Sequence, residues 1–178
     1  MKFSPLLSAA LGIVTVGLCA STAIGDGRHH RQEIVRAKLV GFNEVPTLSS
    51  AASGRFKAVI DEDAETISYE LSYQGLPTVA QAHIHFGRTA INGPILVFLC
   101  SNLGNGPTGT QACPPDEATL TGTIQMADVL GNAAAQGLEA GEFDEFLAAI
   151  RSGATYANVH SAGFPGGEIR GQVVETFR

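Results

Sequence analysis

Residues 67–74 constrain the fold of this chain more than any other segment. Ile67, Tyr69, Leu71 and Tyr73 alternate strictly with Ser68, Glu70, Ser72 and Gln74. Successive side chains of a strand point to opposite faces, so this period of two specifies a half-buried β-strand. The period recurs upstream in Phe56, Ala58 and Ile60, and Asp61-Glu62-Asp63-Ala64 between the two runs reads as a hairpin loop. Residues 34–41 form a mixed apolar run that stops at Asn43-Glu44-Val45-Pro46. Further strands are expected at 79–86, 95–99, 120–124, 154–160 and 168–174. The 95–99 run is continuously apolar, which suits a strand buried on both faces. Turn residues separate these runs, notably Asn92-Gly93-Pro94 and the stretch holding Gly163, Pro165, Gly166 and Gly167. One helical stripe interrupts them: Phe143, Phe146, Leu147 and Ile150 fall at i, i+3, i+4 and i+7, and Ser152-Gly153 stops it. Residues 126–130 read as a helical turn and 131–141 as a flexible connection. The expectation is an all-β, mainly antiparallel sandwich or barrel of about eight strands with one or two short helices.

The N-terminus has a different logic. Lys2 precedes an apolar run over 6–20, and small residues follow at 20–25. This is the three-part pattern of a secretory signal peptide, so residues 1–25 are expected to be removed. Residues 26–32, with His29 and His30, read as a flexible tail, and 33–178 as a single domain. The run is shorter than the roughly 20 residues of a membrane span, so no transmembrane segment is expected in the mature chain. The expected location is secreted, periplasmic or extracellular. The 178-residue chain carries a net charge of -6 at pH 7, which offers no overall basic footprint for nucleic acid. A hydrophobic fraction of 44% excludes a disordered chain. Of three cysteines, Cys19 leaves with the signal, and Cys100 and Cys113 form an even pair. In an exported protein such a pair reads as a disulfide.

No Gly-x-Ser-x-Gly elbow and no phosphate-binding loop occurs, so any enzymatic case rests on a metal. Ala82, Ile84 and Phe86 occupy one face of the 79–86 strand, and His83 and His85 the other. Two imidazoles from one strand face can ligate one ion, and His160 ends a later strand. Three neutral imidazoles suit copper or zinc rather than magnesium or calcium. The alternative is that these histidines make ordinary polar contacts. Glu168 and Arg170 alternate on the last strand. Glu168 could orient a metal-bound imidazole, as such ligands usually require, or it could pair with Arg170.

Four segments resemble the chordin domain family, CHRD. They are Leu39-Val40-Gly41-Phe42-Asn43-Glu44-Val45-Pro46, Ala82-His83-Ile84-His85-Phe86-Gly87 with Asn92-Gly93-Pro94, Gly153-Ala154-Thr155-Tyr156-Ala157-Asn158-Val159-His160, and Phe164-Pro165-Gly166-Gly167-Glu168-Ile169-Arg170-Gly171-Gln172. The resemblance implies an exported all-β module and little about activity. Animal chordins bind growth factors chiefly through separate cysteine-rich modules that this chain lacks. The His83-Ile84-His85-Phe86-Gly87 strand is also similar to the copper-binding strand of copper/zinc superoxide dismutases, with His160 standing for a distant third ligand. No histidine bridges two metals and no histidine-rich zinc loop is present.

Three functions follow as expectations. The first is a non-enzymatic binding module, with a metal at His83, His85 and His160, Glu168 and Arg170 around it, and a protein or polysaccharide partner. The second is a copper-dependent, superoxide dismutase-like redox enzyme. The third is a structural or adhesive surface protein without metal.

Overall fold

The computed structural model describes residues 32–175. The expected signal segment, and all but Gln32 of the expected tail with His29 and His30, lie outside the described residues. Among the described residues there are nine strands and one α-helix, besides three short 3-10 turns: β1 Glu33–Val40, β2 Ser53–Asp61, β3 Thr66–Gln74, β4 Val79–Phe86, β5 Ile95–Ser101, β6 Ala118–Gln125, α1 Phe143–Arg151, β7 Thr155–Ser161, β8 Ile169–Gln172 and β9 Val174–Glu175. Every pairing is antiparallel. They form one sheet in the order β5-β4-β7-β8-β1-β2-β3-β6, with β9 added against β1. The sheet curls until it nearly closes into a barrel, the all-β architecture expected.

The period-two pattern explains the inner wall. Phe56 registers with Leu71, Ala58 with Tyr69 and Ile60 with Ile67, and all six are buried. Cross-strand apolar pairs of this kind are the stabilising unit of a sheet. Across the gap between the sheet's ends, the Tyr69 hydroxyl of β3 donates to the Leu99 carbonyl of β5 at 3.0 Å. The Cys100–Cys113 disulfide is formed, with its Cα atoms 5.0 Å apart. It pins the segment between β5 and β6, where Gln111 Nε2 reaches the Thr121 carbonyl at 3.2 Å. Helix α1 buries its apolar stripe, Phe143, Phe146, Leu147 and Ile150, in the same core. Asp144 and Glu145 occupy its first turn and Arg151 its last, matching the helix dipole.

Two expectations change. The closing strand is interrupted at Val173, whose side chain is buried and whose N–H bonds the Thr155 carbonyl at 2.9 Å. The run therefore splits into β8 and β9. Residues 131–141 are anchored rather than flexible: Ala133 and Leu138 bridge one another, and both are buried.

On β4, β7 and β8 the two faces part company. Ala82, Ile84, Ala157, Val159 and Ile169 point into the core. The opposite faces carry His83, His85, Tyr156, Asn158, His160 and Arg170, all buried although they face away from the core. Residues of the 41–50, 87–94 and 161–168 segments hydrogen-bond to this outer polar layer.

Candidate metal centre

Strand register assembles the layer. His83 stands opposite Asn158, His85 opposite Tyr156 and Gln81 opposite His160 on the β4–β7 pair. Asn158 in turn registers with Arg170 on β8. The β4–β5 pairing shifts between Ala82 and His83 and again between Ile84 and His85. Such irregularities re-aim side chains, and here they bracket the two histidines.

The three histidines come together. Their candidate donor atoms all lie within 4.8 Å of one another. Relative exposures are 0% for His83, 8% for His85 and 6% for His160. His85 Nδ1 bonds the Gly93 carbonyl at 2.9 Å, and His160 Nδ1 bonds the Pro165 carbonyl at 2.9 Å. A carbonyl only accepts, so both rings carry their proton on Nδ1 and keep a lone pair on Nε2. His83 Nδ1 faces His160 Nε2 at 3.2 Å. Two imidazole nitrogens on one ion, each about 2.0 Å away at a near-tetrahedral angle, sit about 3.3 Å apart. The Nε2 atoms of His83 and His85 are buried with no hydrogen-bond partner among the described residues. An orphaned buried acceptor costs about 1–3 kcal/mol, and a cation held by His83 Nδ1 and His160 Nε2 would satisfy the His85 Nε2 orphan.

Electrostatics keeps the rings neutral. Burial, followed by the neighbouring imidazoles His160 and His85, pushes His83 down to about 2. Burial pushes His85 down to about 4 against the opposing bond to Gly93. His160 is lowered by burial as well. Neutral imidazole is the form that binds a metal, so protons do not compete at neutral pH.

The surrounding groups have defined places. The His85 ring stacks on Tyr156 with centroids 4.8 Å apart and planes 2° from parallel. The Arg170 guanidinium lies 3.4 Å from the centre of the same Tyr156 ring. Arg170 also donates to the Ile91 carbonyl at 2.8 Å and to Asn92 Oδ1 at 3.2 Å, tying down the 87–94 loop. Glu168 accepts from Ser50 Oγ at 2.7 Å and from Ser161 Oγ, beside His160. The imidazole N–H groups of His85 and His160 are held by backbone carbonyls. Gly93 can supply its carbonyl because it lacks a side chain: a Cβ there would overlap the Phe86 carbonyl.

Sequence reasoning passed over Tyr156, Asn158 and Glu44. Tyr156 and Asn158 share the period-two face of His160, a signal that was available. Glu44 is buried, accepts from Asn158 Nδ2 at 2.6 Å and has its pKa raised to about 7, chiefly by burial. Gly167, at φ 122°, passes close to both side chains, where any Cβ would crowd Asn158 and Glu44.

A nearly closed antiparallel sheet bearing a buried polar layer on its outer wall makes this an all-β module. The match to the family model of the CHRD domain spans residues 35–173, and the chain belongs to that family. No curated protein matches it. Among the described residues no helix is long and apolar enough to cross a membrane.

Proposed function

We propose that this protein is an exported binding module that holds one transition-metal ion, copper or zinc, through His83, His85 and His160. Residues 1–25 are its removed export signal, and 33–178 its single domain. The observation that carries the reading is the trio itself: three buried neutral imidazoles, two with orphaned Nε2 atoms, converging within 4.8 Å. An all-nitrogen donor set excluding oxygen ligands suits copper or zinc. The Cys100–Cys113 bond supports an oxidising compartment. Arg170 bears on the site through Tyr156, and Glu168 through Ser161. When bound, the metal would satisfy the orphaned His85 Nε2 and fasten β4 to β7.

The test is the metal content of untagged protein purified through the export pathway, beside the His83→Ala/His85→Ala variant. Near-stoichiometric copper or zinc, lost in a folded variant, is the expected result. Absence of both metals after loading would overturn the proposal. Unfolding of the double variant calls for His160→Gln, which keeps a polar side chain and removes one ligand.

A further inference from the structure

The outer face of β1 and β2 carries a feature unrelated to the histidines. Arg36 registers with Lys57, and Lys38 with Arg55, across the antiparallel pair. Four of the eleven Lys and Arg residues of an acidic chain therefore form a two-by-two block. Residues two apart on a strand share a face about 7 Å apart, and adjacent strands lie about 5 Å apart. Like charges directly opposite one another destabilise a sheet. Lys38, Arg55 and Lys57 are exposed and Arg36 half-buried, and none of the four forms an ion pair among the described residues. The four cations thus repel one another across the pair, and Glu70 opposite Lys57 is the one carboxylate that registers with them among the described residues.

The neighbours narrow the ligand. On β3, Lys57 registers with Glu70 and Arg55 with Ser72; Ser53 registers with Gln74. Two adjoining furrows run along the block, both lined by Lys38, Arg55 and Ser72. No aromatic side chain registers on this face, so it lacks the ring anchors of a membrane-surface site. A furrow lined by four cations, with hydroxyl and amide groups and the single carboxylate of Glu70 beside them, fits an elongated, hydroxylated polyanion.

We propose that the β1–β2 face binds an anionic polysaccharide, a carboxylated or sulfated sugar chain lying along the furrow. This goes beyond the metal reading and does not depend on it. The experiment compares retention of the mature protein on immobilised polygalacturonate, dextran sulfate and neutral dextran across a salt series. The counterpart is the Arg36→Gln/Lys38→Gln/Arg55→Gln/Lys57→Gln variant. Salt-sensitive binding to one or both polyanions and none to neutral dextran is expected; which polyanion binds assigns the carboxylate or sulfate source. The variant should bind at least about tenfold more weakly, since each neutralised anion contributes through counterion release. Its melting temperature should hold or rise, because the repulsion is gone. Three results overturn the proposal: no polyanion binding by the wild type, equal binding by the variant, or equally strong binding to vesicles of phosphatidylserine and phosphatidylcholine.

Discussion

Acidifying the metal-free protein from pH 8 to pH 5 should expose the cost of burying three neutral imidazoles. In the unfolded chain a histidine takes its proton near pH 6.5, whereas folded His83 and His85 resist protonation down to about 2 and about 4. The unfolded state therefore binds more protons across this window, and stability falls as pH falls below 6.5. At pH 5 the deficit is about 1.5 pH units per ring, or about 2 kcal/mol each and about 4 kcal/mol for the two. His160 adds in the same direction. Glu44 acts oppositely: its raised pKa gives stability that is present at low pH and lost as pH rises through about 7. The comparison must therefore be between slopes. Urea midpoints measured at several pH values for wild type and for His83→Ala/His85→Ala share the Glu44 contribution. The variant should start lower, from lost packing, yet decline less toward pH 5 by on the order of 4 kcal/mol, a couple of molar in urea. Parallel slopes in the two proteins would refute the argument, because they would place the acid sensitivity outside these rings.

Gly93→Ala should destabilise the fold by more than about 2 kcal/mol and weaken metal uptake, because the new Cβ displaces the loop whose carbonyl holds His85; thermal melting and metal content read both effects. Glu44→Gln keeps an acceptor for Asn158 and removes the opposing titration, so the rise in stability from pH 5 to pH 8 should be steeper than in the wild type by about 2 kcal/mol in urea curves. Cys100→Ser/Cys113→Ser opens a loop closed by residues 13 apart and should cost about 3 kcal/mol in the chain-entropy model, seen as a lower melting temperature.

The sequence made the strands legible wherever one face met the core and the other met water. The alternation of β3 names its buried residues one by one, and the bounds of β4 and the start of α1 follow from local pattern alone. Where both faces are buried, the pattern says less. β7 is buried at all seven positions, so only the period-two spacing from His160 separates Tyr156 and Asn158 from core residues. The meeting of His83 with His160 depends on strand register between segments 77 residues apart, which the shared family motifs suggested and no periodicity could specify. The partners of the imidazoles are carbonyls of Gly93 and Pro165, and backbone atoms leave no trace in residue identity. The break at Val173 likewise comes from a tertiary hydrogen bond.

The outward placement of the polar layer separates two kinds of inheritance. Ala82, Ile84, Ala157 and Val159 hold the barrel together from within, while His83, His85 and His160 occupy alternate positions on the same strands and contribute nothing to that interior. A lineage could exchange the imidazoles for other side chains of similar bulk and keep a folded domain, or repack the interior and keep its ligands. Descendants of one scaffold can thus diverge in chemistry without first passing through an unfolded ancestor.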